Sequence, residues 1–396
     1  MINFILNLNK KPTNHFFGYE SEYSSLYETI ALWKRQLSVV KKTLQLVVTI
    51  PARNEEKTIE DTLLALLQQQ QNGKDLNTNC FEVMVLCNHC TDHTLERCLD
   101  FKKSHPDFPL YIFETKHPEI NTVGATRRVL MDLAAKRLPE NGFIVTTDAD
   151  TLADRFWLHS ILEYQNQPVD LVCGWIEADS SYLQETALTG LHTNRHYLQL
   201  MTQLECSLCP DLNDPWPRHY HHSGPNMAIR KKVYEKIGGI PRLACFEDVA
   251  LYEKVISSGY RVRHSFKPVV TTSCRKNSRV KGGFGSQLQD WSVSKPEVAE
   301  GFLKLQQKFE AYGLLKEFYT TREPNLLKRV EEQLHLCPLS LQELTKTHAH
   351  SASLMRYLEQ LLSGHRPWYT KYPNIPIAEA LNELKHYFSS TIFSQH

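Results

Sequence analysis

Before residue 150, an apolar run, a polar turn and a helical stretch follow one another repeatedly. No other feature of this chain restricts its fold as much. Leu44–Ile50 (LQLVVTI) predicts a buried strand that Pro51 ends, and the polar turn Pro51–Glu56 follows. Ile59, Leu63, Leu66 and Leu67 then recur at helical spacing. Phe81–Leu86 predicts a second strand, leading into the polar stretch Cys87–Thr94 and a helix from Leu95. Asn121–Arg128 opens a further helix, carried on by Val129, Leu130, Leu133 and Ala134. Three such units argue for a doubly wound, mainly parallel sheet. Sheets of that kind bind ligands beyond the carboxyl ends of their strands.

The next strand, Phe143–Asp150, ends in two carboxylates two residues apart, Asp148 and Asp150. In an extended strand, residues i and i+2 leave on the same side. Two neighbouring carboxylates repel unless a positive group lies between them, and a hard divalent ion with oxygen ligands is the usual answer. Asp-x-Asp also occurs in turns, caps and solvated surfaces, so its place at a strand end matters more than the pair itself.

Beyond Asp150, Val169–Trp175 predicts another strand, 183–209 a helix, and 210–222 a loop rich in Pro, Trp and His. Ser223–Arg230 predicts a tight turn entering a short strand. Glu247-Asp248 opens an amphipathic helix that ends at Gly259. Acidic residues in a first helical turn are favoured on structural grounds alone, which is the plain reading of Asp248, Glu55 and Glu56, with Asn54 as an N-cap. Arg127 can face an anion at a helix start or be an ordinary surface arginine. Cys87 and Cys90, with His89 and His93, and Cys206 with Cys209 have spacings that suit zinc. Small residues filling a tight turn are the alternative.

Composition narrows the class. With Lys plus Arg at 45 against Asp plus Glu at 44, the net charge is +1. Nothing there supports wholesale nucleic-acid binding. No apolar run approaches the ~18 residues that span a bilayer, and Met1–Asn7 does not read as a secretory signal. Ten cysteines without a disulfide-framework pattern are expected to be thiols of a reducing compartment. The expectation is a cytoplasmic protein, with peripheral membrane association left open.

Six motifs in order carry a resemblance: Pro51–Glu56, Asn88–Thr94, Gly124–Arg127, Asp148–Asp150, Ser223–Met227 and Glu247-Asp248. Over about residues 44–290 the chain resembles the inverting family-2 glycosyltransferases of the A-type fold. That resemblance implies a Rossmann-like, mainly parallel mixed sheet flanked by helices. It also implies a nucleotide-diphospho-sugar donor, a divalent metal (Mn²⁺ or Mg²⁺) and a hexosyltransferase-like, non-processive reaction. On the same basis Pro51, Ala52, Arg53 and Glu55 line the nucleoside pocket. Asn88 and Asp92 lie on its base and ribose side, and Arg127 lies near the base or phosphates. Asp148 touches the ribose or the metal, and Asp150 holds the metal against the diphosphate. Asp248 is the general base, with Glu247 beside it, and Gly224, Asn226, His222 and Trp291 belong to the sugar and acceptor side. The other loop histidines, His219 and His221, are equally readable as solvated.

Processive members carry Gln-x-x-Arg-Trp, whereas this chain has Gln287-Leu288-Gln289-Asp290-Trp291. Arg279 and Gly282–Gly285 are readable as a flap over the diphosphate or as a Gly-rich surface loop. The chain divides into an N-terminal extension (1–43, partly helical), a glycosyltransferase domain (44–295) and a helical C-terminal region (296–396). In the last, Arg366–Pro373 reads as an aromatic loop before a final helix at about 377–388. That region is expected to pack, to cover the side of a small-molecule, lipid or glycan acceptor, or to mediate a homodimer. Two other readings stand beside this one. A nucleotidyltransferase would need a glycine-rich, lysine-bearing loop that Pro51–Glu56 lacks. A non-catalytic nucleotide-sugar-binding or zinc-stabilised interaction protein would need bound zinc.

Overall fold

The computed structural model describes residues 31–181, 183–274, 284–292, 296–336 and 340–393. Arg279, Gly282 and Gly283 of the expected flap lie outside them, as does most of the N-terminal extension. Eight strands form one sheet: β1 (Leu46–Ala52), β2 (Phe81–Asn88), β3 (Leu110–Thr115), β4 (Phe143–Thr146), β5 (Thr151–Ala153), β6 (Leu171–Asp179), β7 (Met227–Arg230) and β8 (Val262–Ser273). Their spatial order is β3-β2-β1-β4-β7-β6-β8-β5. Neighbours are parallel except that β7 runs antiparallel to β4 and β6, and β5 antiparallel to β8. The expected mainly parallel mixed sheet therefore forms.

Period-2 alternation explains how both faces are covered. Leu46, Val48 and Ile50 of β1 pack with Ile59, Leu63 and Leu66 of α1 (Ile59–Leu67) and with Cys98 and Phe101 of α2 (Thr94–Ser104). Trp157 and Leu158 of α4 (Trp157–Leu162) join that layer. Val47 faces the other way, toward Val129, Leu130 and Leu133 of α3 (Val123–Arg137). Tyr234 of α6 (Lys231–Lys236) and Leu251 and Val255 of α7 (Glu247–Ser257) lie on that second face.

A third core is built by α5 (Glu185–Leu208) with α9 (Phe302–Thr321), α10 (Pro324–Gln333), α11 (Leu341–Thr347), α12 (Ser351–Gly364), α13 (Arg366–Lys371) and α14 (Ile377–Phe393). A smaller cluster joins α5 to α8 (Phe284–Ser292) through Ala187, Leu191, Leu288 and Trp291.

Several expectations are corrected. Pro51 does not end β1 but pairs opposite Leu86 within it. The Thr49 carbonyl accepts from Thr147 N–H at 3.2 Å, so odd positions of β1 bond toward β4. Pairing with β4 stops at Thr49, so the donor that proline lacks falls where no strand follows. The strand at 143 ends at Thr146, and the chain then turns, with Thr151 N–H donating to the Asp148 carbonyl at 3.3 Å. Asp148 and Asp150 therefore sit on a turn rather than alternating along a strand.

Asn54 is not an N-cap, since α1 starts at Ile59 after Thr58. Asn54 has φ 56° and its side chain accepts from Thr91 N–H at 2.8 Å. Arg366–Lys371 is helical rather than a loop, with Pro367 in the first turn, where proline is tolerated. Three strands of the sheet were not foreseen, β3, β5 and β8. In β8 the Phe266-Lys267-Pro268 segment masks the pattern, and the register against β6 shifts between Ser265 and Val269 to absorb it.

Candidate active site

Register brings the motifs together. β1, β2, β3 and β4 are parallel, so their carboxyl ends deliver the turns after Ala52, Asn88, Thr115 and Thr146 to one edge. Antiparallel β7 pairs Met227 with Thr146, placing the 3₁₀ turn Gly224–Asn226 at that same edge.

Arg127 sits at the centre, its side chain 3% exposed. Its Nε donates to Glu247 Oε1 at 3.0 Å, one Nη donates to the Gly224 carbonyl at 3.4 Å, and the other pairs with Asp148. Gly224 N–H donates to Asp248 Oδ2 at 2.6 Å, and Val249 N–H donates to Asp248 Oδ1 at 2.8 Å. Thr146 Oγ1 donates to the Gly224 carbonyl at 2.7 Å. Asp148, Glu247 and Gly224 are thus joined through one guanidinium, and Asp248 is joined to them through the Gly224 peptide. Asp150 lies close enough to Asp148 to repel its charge.

Acids outnumber that cation, and their protonation responds. Burial, aided by repulsion from Asp150 and Asp248 and only partly opposed by Arg127, pushes Asp148 up to about 6. Burial also pushes Glu247 up to about 7, against Arg127 and with repulsion from Asp248. Carboxylates raised by burial beside a specific charge partner are candidates for a functional site.

The residues expected on the nucleoside side hold one another. Asp92 accepts from Thr94 N–H at 3.1 Å, from Thr94 Oγ1 at 2.5 Å and from Glu56 N–H at 3.1 Å. Those bonds outweigh burial and hold its pKa below the usual value. Glu55 is buried; its N–H donates to Thr94 Oγ1 at 2.7 Å and its carboxylate accepts from Thr58 at 2.9 Å. Arg53 is exposed and donates to the Asn121 carbonyl at 3.2 Å, while Ala52 is buried and Pro51 half-buried. Asn88 donates to Thr126 Oγ1 at 2.7 Å, and its buried carbonyl oxygen has no partner among the described residues.

Among the residues expected on the acceptor side, Asn226 is 2% exposed and fully engaged. It accepts from Trp157 Nε1 at 2.8 Å and donates to the carbonyls of Trp175 at 2.9 Å and Pro268 at 3.0 Å. It shapes the turn rather than presenting an amide to a ligand. A Cβ at Gly174 would come within 2.3 Å of it, so glycine is required there. His222 stacks on Tyr252 at 4.3 Å and 17° and donates from Nδ1 to the Tyr220 carbonyl at 3.1 Å. Burial and the neighbouring His264 push it down to about 4, with Asp248 pulling the other way.

His219 is buried, with its Nε2 3.0 Å from the Ser265 carbonyl. His221 stacks edge-on against Trp175, so the loop histidines pack rather than face solvent. Trp291 lies apart from this network: it is buried, donates to Glu297 at 2.9 Å and packs against Gly190. Two features carried no sequence signal. Trp157 on α4 reaches Asn226 from 69 positions away, and Asp214 binds His264 at 2.6 Å behind the histidine loop. Neither lies in a recognisable spacing.

Among the described residues no group of three or more His, Cys, Asp or Glu side chains is arranged to hold a metal by itself. The Asp148/Asp150 turn nevertheless suits an ion that takes its remaining ligands from bound phosphate and water, the usual habit of Mg²⁺. The cysteine pairs do not meet: Cys87 and Cys90 pack in the first core, Cys209 in the third, and Arg218 donates to Cys206 Sγ at 3.0 Å.

Residues 47–238 match the family model described as "Glycosyl transferase family 2". The match ends before Glu247 and Asp248. The chain is similar to the probable glycosyltransferase YdaM of Bacillus subtilis (strain 168), with 23% identity over 305 residues. That alignment covers 75% of this chain and 66% of that protein. Among solved structures, it is similar to the mannosyltransferase PcManGT from Pyrobaculum calidifontis in complex with GDP-Man and Mn²⁺. There the identity is 16%, the coverage 94% of both chains and the TM-score 0.43. For S. aureus TarS 1–349 in complex with UDP-GlcNAc the identity is 14%, the coverage 88% and 92%, and the TM-score 0.43. Through residues 47–238, which carry six of the eight strands of its sheet in full, the chain is thus similar to glycosyl transferase family 2.

Proposed function

We propose that this chain, on an A-type fold, moves a sugar from a nucleotide-diphosphate donor to a hydroxyl acceptor, one residue at a time and with inversion. The observation that carries the reading is the link Asp148–Arg127–Glu247 with Gly224–Asp248, which joins the acid of the turn after β4 to the two acids that open α7. In the proposal, Asp150 and Asp148 hold a divalent ion, Mn²⁺ or Mg²⁺. Such an ion, when bound, supplies charge stabilisation to a departing diphosphate without a proton donor. The excess of carboxylates over the one buried cation favours its binding.

The chain's own chemistry lies at Asp248. Both of its oxygens accept backbone N–H bonds, which fix the orientation of the carboxylate. A carboxylate so fixed can take the proton that the attacking hydroxyl loses. Glu247, raised to about 7, stays against Arg127 and is not the base. The turns at Arg53–Glu55 and Asn88–Asp92 surround the nucleoside. The acceptor is a small molecule, lipid or glycan bearing a free hydroxyl, reached from the Gly224/His222 side. Among the described residues no helix is long and apolar enough to cross a membrane. We place the enzyme in the cytoplasm, where its nine described cysteines are unpaired thiols.

The test is nucleoside-diphosphate release from UDP-glucose, UDP-GlcNAc and GDP-mannose with Mn²⁺ or with EDTA. Metal-dependent release from one donor, lost in Asp248→Asn while nucleotide still binds, supports the reading. Normal release by that variant removes it.

A further inference from the structure

Arg127 was expected near the nucleotide, but its guanidinium points into the protein, where it has three separate partners. They come from three elements: the turn after β4 (Asp148), the first residue of α7 (Glu247) and the 3₁₀ turn before β7 (the Gly224 carbonyl). The peptide N–H of that same Gly224 holds Asp248 at 2.6 Å. The guanidinium also lies against the glycine itself, since a Cβ there would sit 2.5 Å from Nη2 and 2.8 Å from Cζ. A planar fork makes several directed bonds at once, whereas an ammonium offers a point charge on a flexible stem. Neutralising acids needs only charge. Fixing two carboxylates and a peptide in one mutual geometry needs the fork.

We infer that Arg127 is a positioning residue for the transfer. It orients Asp148 on the donor side and, through Glu247 and the Gly224 peptide, Asp248 on the acceptor side. One rigid group then sets the distance between the departing diphosphate and the incoming hydroxyl. Small misplacements of reacting groups cost rate far more than binding.

The inference rests on Asp248 being the base, so three variants are measured together on whichever donor of the panel turns over best. Arg127→Lys keeps the charge and loses the fork. Its kcat should fall roughly 10²-fold, with nucleoside-diphosphate affinity in Mn²⁺ within about threefold of the parent. Gly224→Ala keeps every charge and displaces the fork, and should show the same split, which covers the case in which the lysine variant fails to fold. In Arg127→Ala, millimolar methylguanidinium should restore part of the rate and methylammonium should not. Normal kcat in Arg127→Lys, or equal rescue by methylammonium, overturns positioning in favour of charge alone. Asp248→Asn separates the two ideas. If that variant is unimpaired the base assignment fails, and if it is impaired while Arg127→Lys and Gly224→Ala are normal, only the positioning role fails.

Discussion

Two buried charge clusters sit in this molecule, and they are built in opposite ways. At the strand ends, one arginine faces Asp148, Glu247 and Asp248, and burial raises Asp148 to about 6 and Glu247 to about 7. In the C-terminal region, Glu300 is bonded by Lys308 at 2.5 Å and Lys304 at 3.4 Å, with Glu359 3.2 Å from Lys308. There burial would raise Glu300, yet the two lysines hold it below the usual carboxylate value. Lys304 further reaches Asn374 at 2.7 Å, tying α9 to the strand that precedes α14. Among the described residues, charges match partners in the second cluster, whereas three acids, Asp148, Glu247 and Asp248, share Arg127 in the first. A buried cluster that balances itself is a fastener, and one that carries surplus charge is suited to take up a ligand of opposite sign.

The sharpest way to break that contrast is at Asp248. Its replacement by Asn should lower turnover by about 10²–10⁴-fold and leave the melting temperature close to the parent's. A variant that melts early instead would make Asp248 a fastener too. Next in size, Lys308→Met strands the buried Glu300 with one partner fewer and should cost about 3–5 kcal/mol of stability in a denaturant titration. Turnover per folded molecule should be unchanged, and a loss of turnover in fully folded protein would give the second cluster a functional role. Asp150→Ala should weaken Mn²⁺-dependent nucleotide binding by roughly 10- to 100-fold, read by titration with and without EDTA, while metal-free binding stays as it was.

The smallest effect concerns pH. An acid whose folded pKa lies above its unfolded value makes the folded state hold more protons, so stability falls as pH rises through that interval. For Asp148 the interval runs from about 4 to about 6 and for Glu247 up to about 7. Metal-free protein should therefore lose stability, on the order of 1–3 kcal/mol, between pH 4 and 7 relative to Asp148→Asn. Mn²⁺ should recover it. Glu300 works with the opposite sign: its contribution is present at neutral pH and is lost as pH falls below the ordinary carboxylate range. If the parent and Asp148→Asn melt in parallel across the interval, the surplus-charge picture of the first cluster is wrong.

Much of this arrangement was legible along the chain. The apolar runs at 46–52, 81–88 and 143–146 form adjacent strands because residues buried on both faces read as continuous hydrophobic stretches. The motif turns follow from strands ending in a common direction. Other parts were not legible. β8 is interrupted by Pro268 and stays in the sheet only because a shift in register absorbs it. Asp148 and Asp150 read as a strand pair, yet the chain has already turned at Thr147. Asn226 read as a ligand contact, but it spends its whole amide on Trp157, Trp175 and Pro268.

What the sequence determined by itself is periodic and local: which runs are strands, which turns follow them, and that carboxylates appear in the turns after β1, β2 and β4 and at the start of α7. What only the tertiary structure decided is the state of those carboxylates. Arg127 meets Glu247 across 120 positions and Gly224 across 97. Whether an acid is a cap, a fastener or a base depends on the charges and dipoles within a few ångströms of it. Those neighbours are supplied by strand register and helix docking, and no local pattern of residues encodes them.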